Sequence, residues 1–321
     1  MVIVRRVASV WLALLSLSAV AAQPMAARNL GPFAAIFGLP HPTSTRAHQA
    51  GSFARISLVN NFLPRHAGQE QLVLDGESLW LETGFTRSQG ECWHYTLTVP
   101  FIRHSGGWVD SFVNGWHAFF NLPESGRPDV ENDRLLYYYA IDDDEIIRLE
   151  DPSSGVGDIR VELAAAPGCT PLANTQLRIG LKLATGDPDR LFGSGGHDFF
   201  MDVSRDTGIS ASGFSLGITG GMLFTEQSKL FSNQRHAIAY TTLSLDWRAW
   251  RTVLLQAQLT AHSAFFDSDI SELNDAAFIA TLGGEITLPK RLTLELGLSE
   301  DPVYGTSPDV VFHLGIRYHS D

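Results

Sequence analysis

The chain has 321 residues, 35 of them acidic and 23 basic, for a formal net charge of −12, a balance that argues against nucleic acid as a partner. Mean hydropathy is +0.01, too mild for a bundle of membrane helices. The length suits one large all-β domain or two ordinary ones.

Residues 1–22 read as a secretory signal. Arg5 and Arg6 supply the positive region, Val7 to Ala19 the apolar stretch, and Ala19-Val20-Ala21 or Val20-Ala21-Ala22 the small-residue cleavage site. The alternative, a membrane-anchoring helix, would need a longer apolar run and a charged stop-transfer cluster. No other apolar run approaches the ~20 residues a membrane helix requires. The mature protein is therefore exported and soluble, or crosses a membrane as a β-barrel. Residues 23–50 include Phe33, Ile36, Phe37 and Leu39. In a barrel they could enter the lumen from the periplasm as a plug.

From residue 51 onward apolar and polar residues alternate. Strands are expected at 51–62, 72–86, 92–103, 155–166, 175–186, 197–204, 213–224, 237–248, 251–262, 275–288, 291–300 and 308–318. In CWHYTLTVPF, Trp93, Tyr95, Leu97, Val99 and Phe101 share one face, and His94, Thr96 and Thr98 the other. In the second strand the apolar parity changes: Leu72 and Leu74 are even, Leu79, Leu81 and Phe85 odd. That predicts a β-bulge or tight turn at Asp75-Gly76-Glu77.

Between the third and fourth strands the period changes. In GGWVDSFVNGWHAFFNLPESGR (106–127), Trp108, Val109, Phe112, Val113, Trp116, Phe119 and Phe120 recur at three and four. That spacing predicts an amphipathic helix over about 108–121. Its polar edge would carry Asp110, His117 and Arg127. It lies in the longest connection, 104–154, whose LLYYYAIDDDEIIRLE segment suggests a small hairpin. The helix is expected to act as a lid on the barrel mouth.

Alternation fits a soluble sandwich, with its apolar face inward, or a membrane barrel, with its apolar face toward lipid. Loop lengths favour the barrel. With twelve strands, one end receives mostly short turns and the other mostly long loops, the pattern of outer-membrane barrels. The expected fold is an all-β antiparallel transmembrane barrel over 51–321. Cys92 and Cys169 would then sit at the periplasmic rim of adjacent strands, where an oxidising compartment favours a disulfide. Trp93, Tyr95, Phe101, Tyr240, Trp247, Trp250, Phe265, Phe266 and Tyr318 lie near strand ends, as aromatic girdles would require.

The segments NLGPFAAIFGLP (29–40), LDGE (74–77), LTVPF with GGWVDSFVNGWHAFFNLPESGR (97–127), GVGDIRVEL (155–163) and LATGDPDRLFGSGGHD (183–198) resemble a family of uncharacterised Gram-negative outer-membrane β-barrel proteins, a domain of unknown function. The resemblance implies the fold and the outer membrane and supplies no catalytic residues. It implies outer-membrane lipid and the barrel-assembly machinery as partners. Outer-membrane strands usually end on an aromatic residue; here Tyr318 is followed by His319, Ser320 and Asp321.

The polar faces suggest a lumen. Pairing strands four and five with partners summing to about 340 sets Asp158 against Lys182 and Glu162 against Arg178, with Arg160 opposite Gly180. Such pairs each stabilise by roughly 0.2–1 kcal/mol. Glu285, Glu295, His313 and Arg317 would continue a charged track for a small solute. Acidic loop clusters (Asp142, Asp143, Asp144 and Glu145; Asp187, Asp189 and Asp198; Asp267 and Asp269) match no EF-hand loop and read as solvated charge. No cofactor or metal is expected.

Three functions remain: a narrow or gated channel for a small solute or apolar compound, a non-transporting surface barrel binding lipopolysaccharide or a partner, and an outer-membrane lipid hydrolase. The hydrolase would need a serine beside a histidine. His117, His197 and His262 with Ser111, Ser194 and Ser263 are candidates, without a GxSxG or HExxH motif.

Overall fold

The computed structural model describes residues 24–43, 50–109, 115, 133–171, 175–207, 209–210, 212–303 and 305–320. Fifteen strands form one antiparallel sheet: β1 (Gly51–Ala67), β2 (Glu70–Gln89), β3 (Trp93–Ser105), β4 (Leu136–Ile141), β5 (Asp144–Leu149), β6 (Ser153–Val156), β7 (Arg160–Ala165), β8 (Thr175–Lys182), β9 (Asp198–Asp206), β10 (Phe214–Thr225), β11 (Ala237–Trp247), β12 (Val253–His262), β13 (Ala277–Leu288), β14 (Leu292–Glu300) and β15 (Val310–His319). β1 pairs with both β2 and β15, so the sheet closes on itself. The closed wall contains twelve strands: β1–β3 and β7–β15. β6 continues the line of β7 along β3, while β4 and β5 hang on the outer end of β2.

The alternation resolves inside-out. Ile56, Phe101, Leu177, Ile179, Leu181, Leu216, Ile218, Leu243 and Leu282 are exposed on the outer wall, while Arg178, Lys182, Asp202, Glu285 and Glu295 are buried inside. Apolar side chains facing outward exclude the soluble sandwich and define a lipid-facing belt. Trp93, Tyr95, Phe101, Trp247, Trp250 and Tyr318 are exposed on that wall. The other three residues expected in the girdles are internal. Tyr240 donates its hydroxyl to Asp202 in the lumen, at 2.9 Å. Phe265 and Phe266 are buried in an apolar core at the long-loop end.

β2 carries no bulge. Its register with β1 is constant from Gly51↔Thr86 to Ala67↔Glu70, so even residues face inward throughout. The apolar parity changes because the surroundings change. Leu79 lies on the lipid-facing wall at 39% exposed, whereas Leu72, at 0%, lies beyond the belt and faces an internal core. Gly76 marks the place where β2 exchanges β3 for β4 as its neighbour. Its φ is +145°, and a Cβ there would meet Leu135 at 2.9 Å, so glycine is required.

β1, β2, β4 and β5 thus stand above the barrel as a flap. Its inner face presents Leu63, Leu72, Tyr137, Tyr139, Ile147 and Leu149 to Phe231, Phe265, Phe266 and Ile270 of the other long loops. The opposite end carries short turns and the Cys92–Cys169 disulfide, with Cα atoms 5.5 Å apart. By the loop-length rule the disulfide end is periplasmic and the capped end extracellular.

Candidate functional site: the occupied lumen

The chain's own N-terminal segment lies inside the lumen. Residues 24–43 rise along the inner wall, turn beneath the flap and descend. A helical turn, with Ala34 and Ala35 N–H donating to the Gly31 carbonyl at 3.0 and 2.8 Å, presents Phe33, Ile36, Phe37 and Leu39 to the apolar cap. Phe37 stacks on Phe265 at 5.0 Å, and Phe33 lies 4.9 Å from Phe231. Burial of each such side chain contributes about 1.5–3 kcal/mol, so the turn is firmly held.

Below the cap the contacts are polar. Glu82 of β2 is central: its carboxylate pairs with Arg28 (3.8 Å) and His41 (2.6 Å) of the segment and with Arg160 of β7. Gly38 N–H donates to Asp198 (2.7 Å), Ala26 N–H to Glu295 (3.2 Å), Arg178 to the His41 carbonyl (2.9 Å) and the Thr219 hydroxyl to the Thr43 carbonyl (2.9 Å). Barrel-wall groups therefore bind this segment largely through its main chain.

Two wall clusters complete the network. Arg178 bonds Asp202 (2.5 Å) and Glu162 (3.0 Å), its guanidinium 5.0 Å from the Phe200 ring. Lys182 bonds Asp158 (2.6 Å), Asp198 (3.2 Å) and the Ser194 hydroxyl (2.6 Å). Apart from the partly exposed Glu162, these groups are almost wholly buried, and a charge in such surroundings requires partners.

The expected lumen residues all face inward, with one correction of register. β7 and β8 pair with Arg160 opposite Lys182, Glu162 opposite Gly180 and Ala164 opposite Arg178. The partners sum to 342. Parity is unchanged by a shift of two, so the Asp158–Lys182 and Glu162–Arg178 ion pairs form diagonally. Arg317 lies 3.9 Å from Glu295, and His313 bridges the hydroxyls of Ser57 (3.0 Å) and Ser299 (2.8 Å). Glu285 sits directly opposite Glu295. Asp198, grouped by sequence with solvated loop acids, is a lumen residue.

Asp75, Gly76 and Glu77 form neither turn nor bulge. The buried Glu77 carboxylate accepts the N–H groups of Trp108 (2.9 Å) and Val109 (2.6 Å). It anchors the start of the β3–β4 connection. Gly107, at φ +89°, makes this contact feasible, because a Cβ there would overlap the Glu77 carboxyl at 1.8 Å. Trp108 is 74% exposed. Asp110, Phe112, Trp116, His117, Phe120 and Arg127 lie outside the described residues, as do Ser111 and the signal stretch.

The hydrolase candidates that are described do not meet. Ser194 serves Lys182, the Ser263 hydroxyl accepts Ala239 N–H, His197 pairs with Glu226, and His262 accepts from Asn29. Among the described residues no group of three or more His, Cys, Asp or Glu is placed to hold a metal.

Sequence reasoning missed Arg28, His41, Glu82, Asp202 and Tyr240. Glu82 and Asp202 had a usable signal, each being a charged residue on the inward parity of a strand. Arg28 and His41 had none, because their segment has no period.

Among the described residues, 305–309 border the mouth. Asp301 accepts the N–H groups of Val303 and Ser307, both at 3.0 Å. Burial pushes its carboxyl up to about 6.

A closed twelve-strand wall, an outward apolar belt and an ionic interior define a transmembrane β-barrel of the outer-membrane type. The chain belongs to the family described as "Protein of unknown function (DUF3187)", matched over residues 3–320. No curated protein matches it. An outer membrane channel from Pseudomonas putida F1 is similar in fold, at 11% identity, covering 84% of this chain and 94% of that one, with a TM-score of 0.50. The translocator domain of the autotransporter NalP from Neisseria meningitidis, 10% identical, covers 85% of this chain and 89% of that one, with a TM-score of 0.46.

Proposed function

We propose that the chain is an outer-membrane channel for a small solute, closed at rest by residues 24–43. One observation carries this reading. The segment crosses the membrane-spanning part of the lumen and is bound there by hydrogen bonds and ion pairs to Glu82, Asp198, Arg178 and Glu295. Such contacts can be exchanged for water, whereas an apolar filling could not. Twelve strands enclose a bore narrower than that of a sixteen-strand porin, so a segment of this length suffices to block it. The fold's likeness to a protein described as an outer membrane channel agrees with this reading.

Liposome swelling tests it. Vesicles carrying protein that lacks residues 24–43 should take up small neutral solutes, and vesicles carrying the intact chain should take them up far more slowly. Equal, background uptake by both would leave the non-transporting barrel as the better account. The signal peptide is part of the same reading, and sequencing the N-terminus of membrane-extracted protein checks it.

A further inference from the structure

At the extracellular end a cavity of about 50 Å³ opens outward between the turn of the N-terminal segment and the surrounding loops. Its apolar lining includes Phe33, Phe62, Leu63, Phe265, Phe266 and Leu273. The polar groups at its floor are already satisfied. His262 donates from Nδ1 to the Ser263 carbonyl (2.9 Å), and Asn29 donates to His262 Nε2 and to the Thr306 carbonyl, both at 3.0 Å. One group is different. Ser307 lines the same cavity, and its hydroxyl oxygen is buried and has no hydrogen-bond partner among the described residues. A buried hydroxyl of this kind costs free energy until something bonds it.

The rim sets the charge. Glu272, Asp275 and Asp309 border the cavity, and Glu272 is paired with Arg65. The carboxylate of Asp275 disfavours anions. The enclosed part exceeds the roughly 10–15 Å³ a water needs but is smaller than the ~150 Å³ that accepts benzene. A ring must therefore extend into the open side.

We propose that this cavity binds a small, uncharged, mostly apolar molecule carrying one hydrogen-bonding group, which Ser307 engages. The proposal deepens the channel reading and rests on it: the cavity is the outer mouth, and Phe33 and Ala34 of the blocking segment form part of its wall. A ligand entering there would press on the turn that closes the lumen.

The test uses the intact protein in detergent, with phenol, benzene and benzoate as probes in ligand-observed NMR titrations. Phenol should bind saturably, benzene about two- to tenfold more weakly for want of one hydrogen bond, and benzoate least. Ser307→Ala should bring phenol down to the level of benzene. Ala34→Leu should abolish both by filling the wall. Heat-modifiable migration on a gel verifies that each variant is folded, and if Ala34→Leu is not, Ser307→Ala alone decides. Absence of saturable phenol binding, an unchanged phenol preference in Ser307→Ala, or stronger binding of benzoate would each overturn the proposal. Water alone in the cavity is the first of these outcomes. Failure here, with uptake persisting in the variant lacking residues 24–43, removes the site and leaves the channel. Binding without uptake in either protein removes the channel and leaves the site.

Discussion

β2 passes through two environments, and its two halves differ in a way that explains most of the molecule. In the belt, Leu79 and Leu81 face lipid while Trp80 and Glu82 face the lumen. Above it, Gln71 and Val73 face outward while Leu72 and Leu74 face an internal core. The backbone register is the same in both halves. The apolar side of the strand changes because in the membrane the apolar solvent is outside, and above it the apolar phase is the protein's own interior. The N-terminal segment spans both regions. Its turn is anchored by Phe33, Ile36, Phe37 and Leu39 in the cap, and its two arms are bound by polar groups in the lumen. A firm anchor above and exchangeable contacts below suit a segment that moves out of the bore while staying attached.

Four substitutions sharpen this contrast. The largest effect is expected from Asp202→Ala, which takes from the buried Arg178 its 2.5 Å partner and from Tyr240 its acceptor. Breaking such a buried pair costs about 3–5 kcal/mol, read as a lower urea midpoint in liposomes. Leu72→Ala opens a hole in the cap and should cost about 3 kcal/mol. Ile179→Arg, on the outward face in the middle of β8 and between Leu163 and Met201, should cost about 2–4 kcal/mol because it meets lipid. The smallest effect belongs to Gln71→Arg. It also lies on an outward face, but above the belt, and should change stability by less than about 0.5 kcal/mol. Equal costs for the last two would break the assignment of the belt.

The strand order was legible because period two is a local property, and the outward set in β3 and β8 follows directly from it. The parity change at Asp75-Gly76-Glu77 was legible too, but its cause was not. Sequence alone does not say which phase borders each face, so a change of solvent looks like an extra residue. The same ignorance placed Tyr240, Phe265 and Phe266 in the girdles. The β7–β8 ion pairs were legible because parity survives a two-residue slip, whereas the register itself depends on closure of the whole ring. The contacts of Arg28 and His41 with Glu82 join residues 41 to 54 apart through a segment without period, and no local pattern reports them.

Planar-bilayer recording of the intact chain beside the same chain lacking residues 24–43 tests the account most directly. The intact protein should remain closed apart from rare openings, and the shortened protein should show discrete, sustained conductance steps at the same protein density. Silence from both, with the shortened barrel shown to be folded by its heat-modifiable migration, would contradict the claim that this segment is what closes the channel.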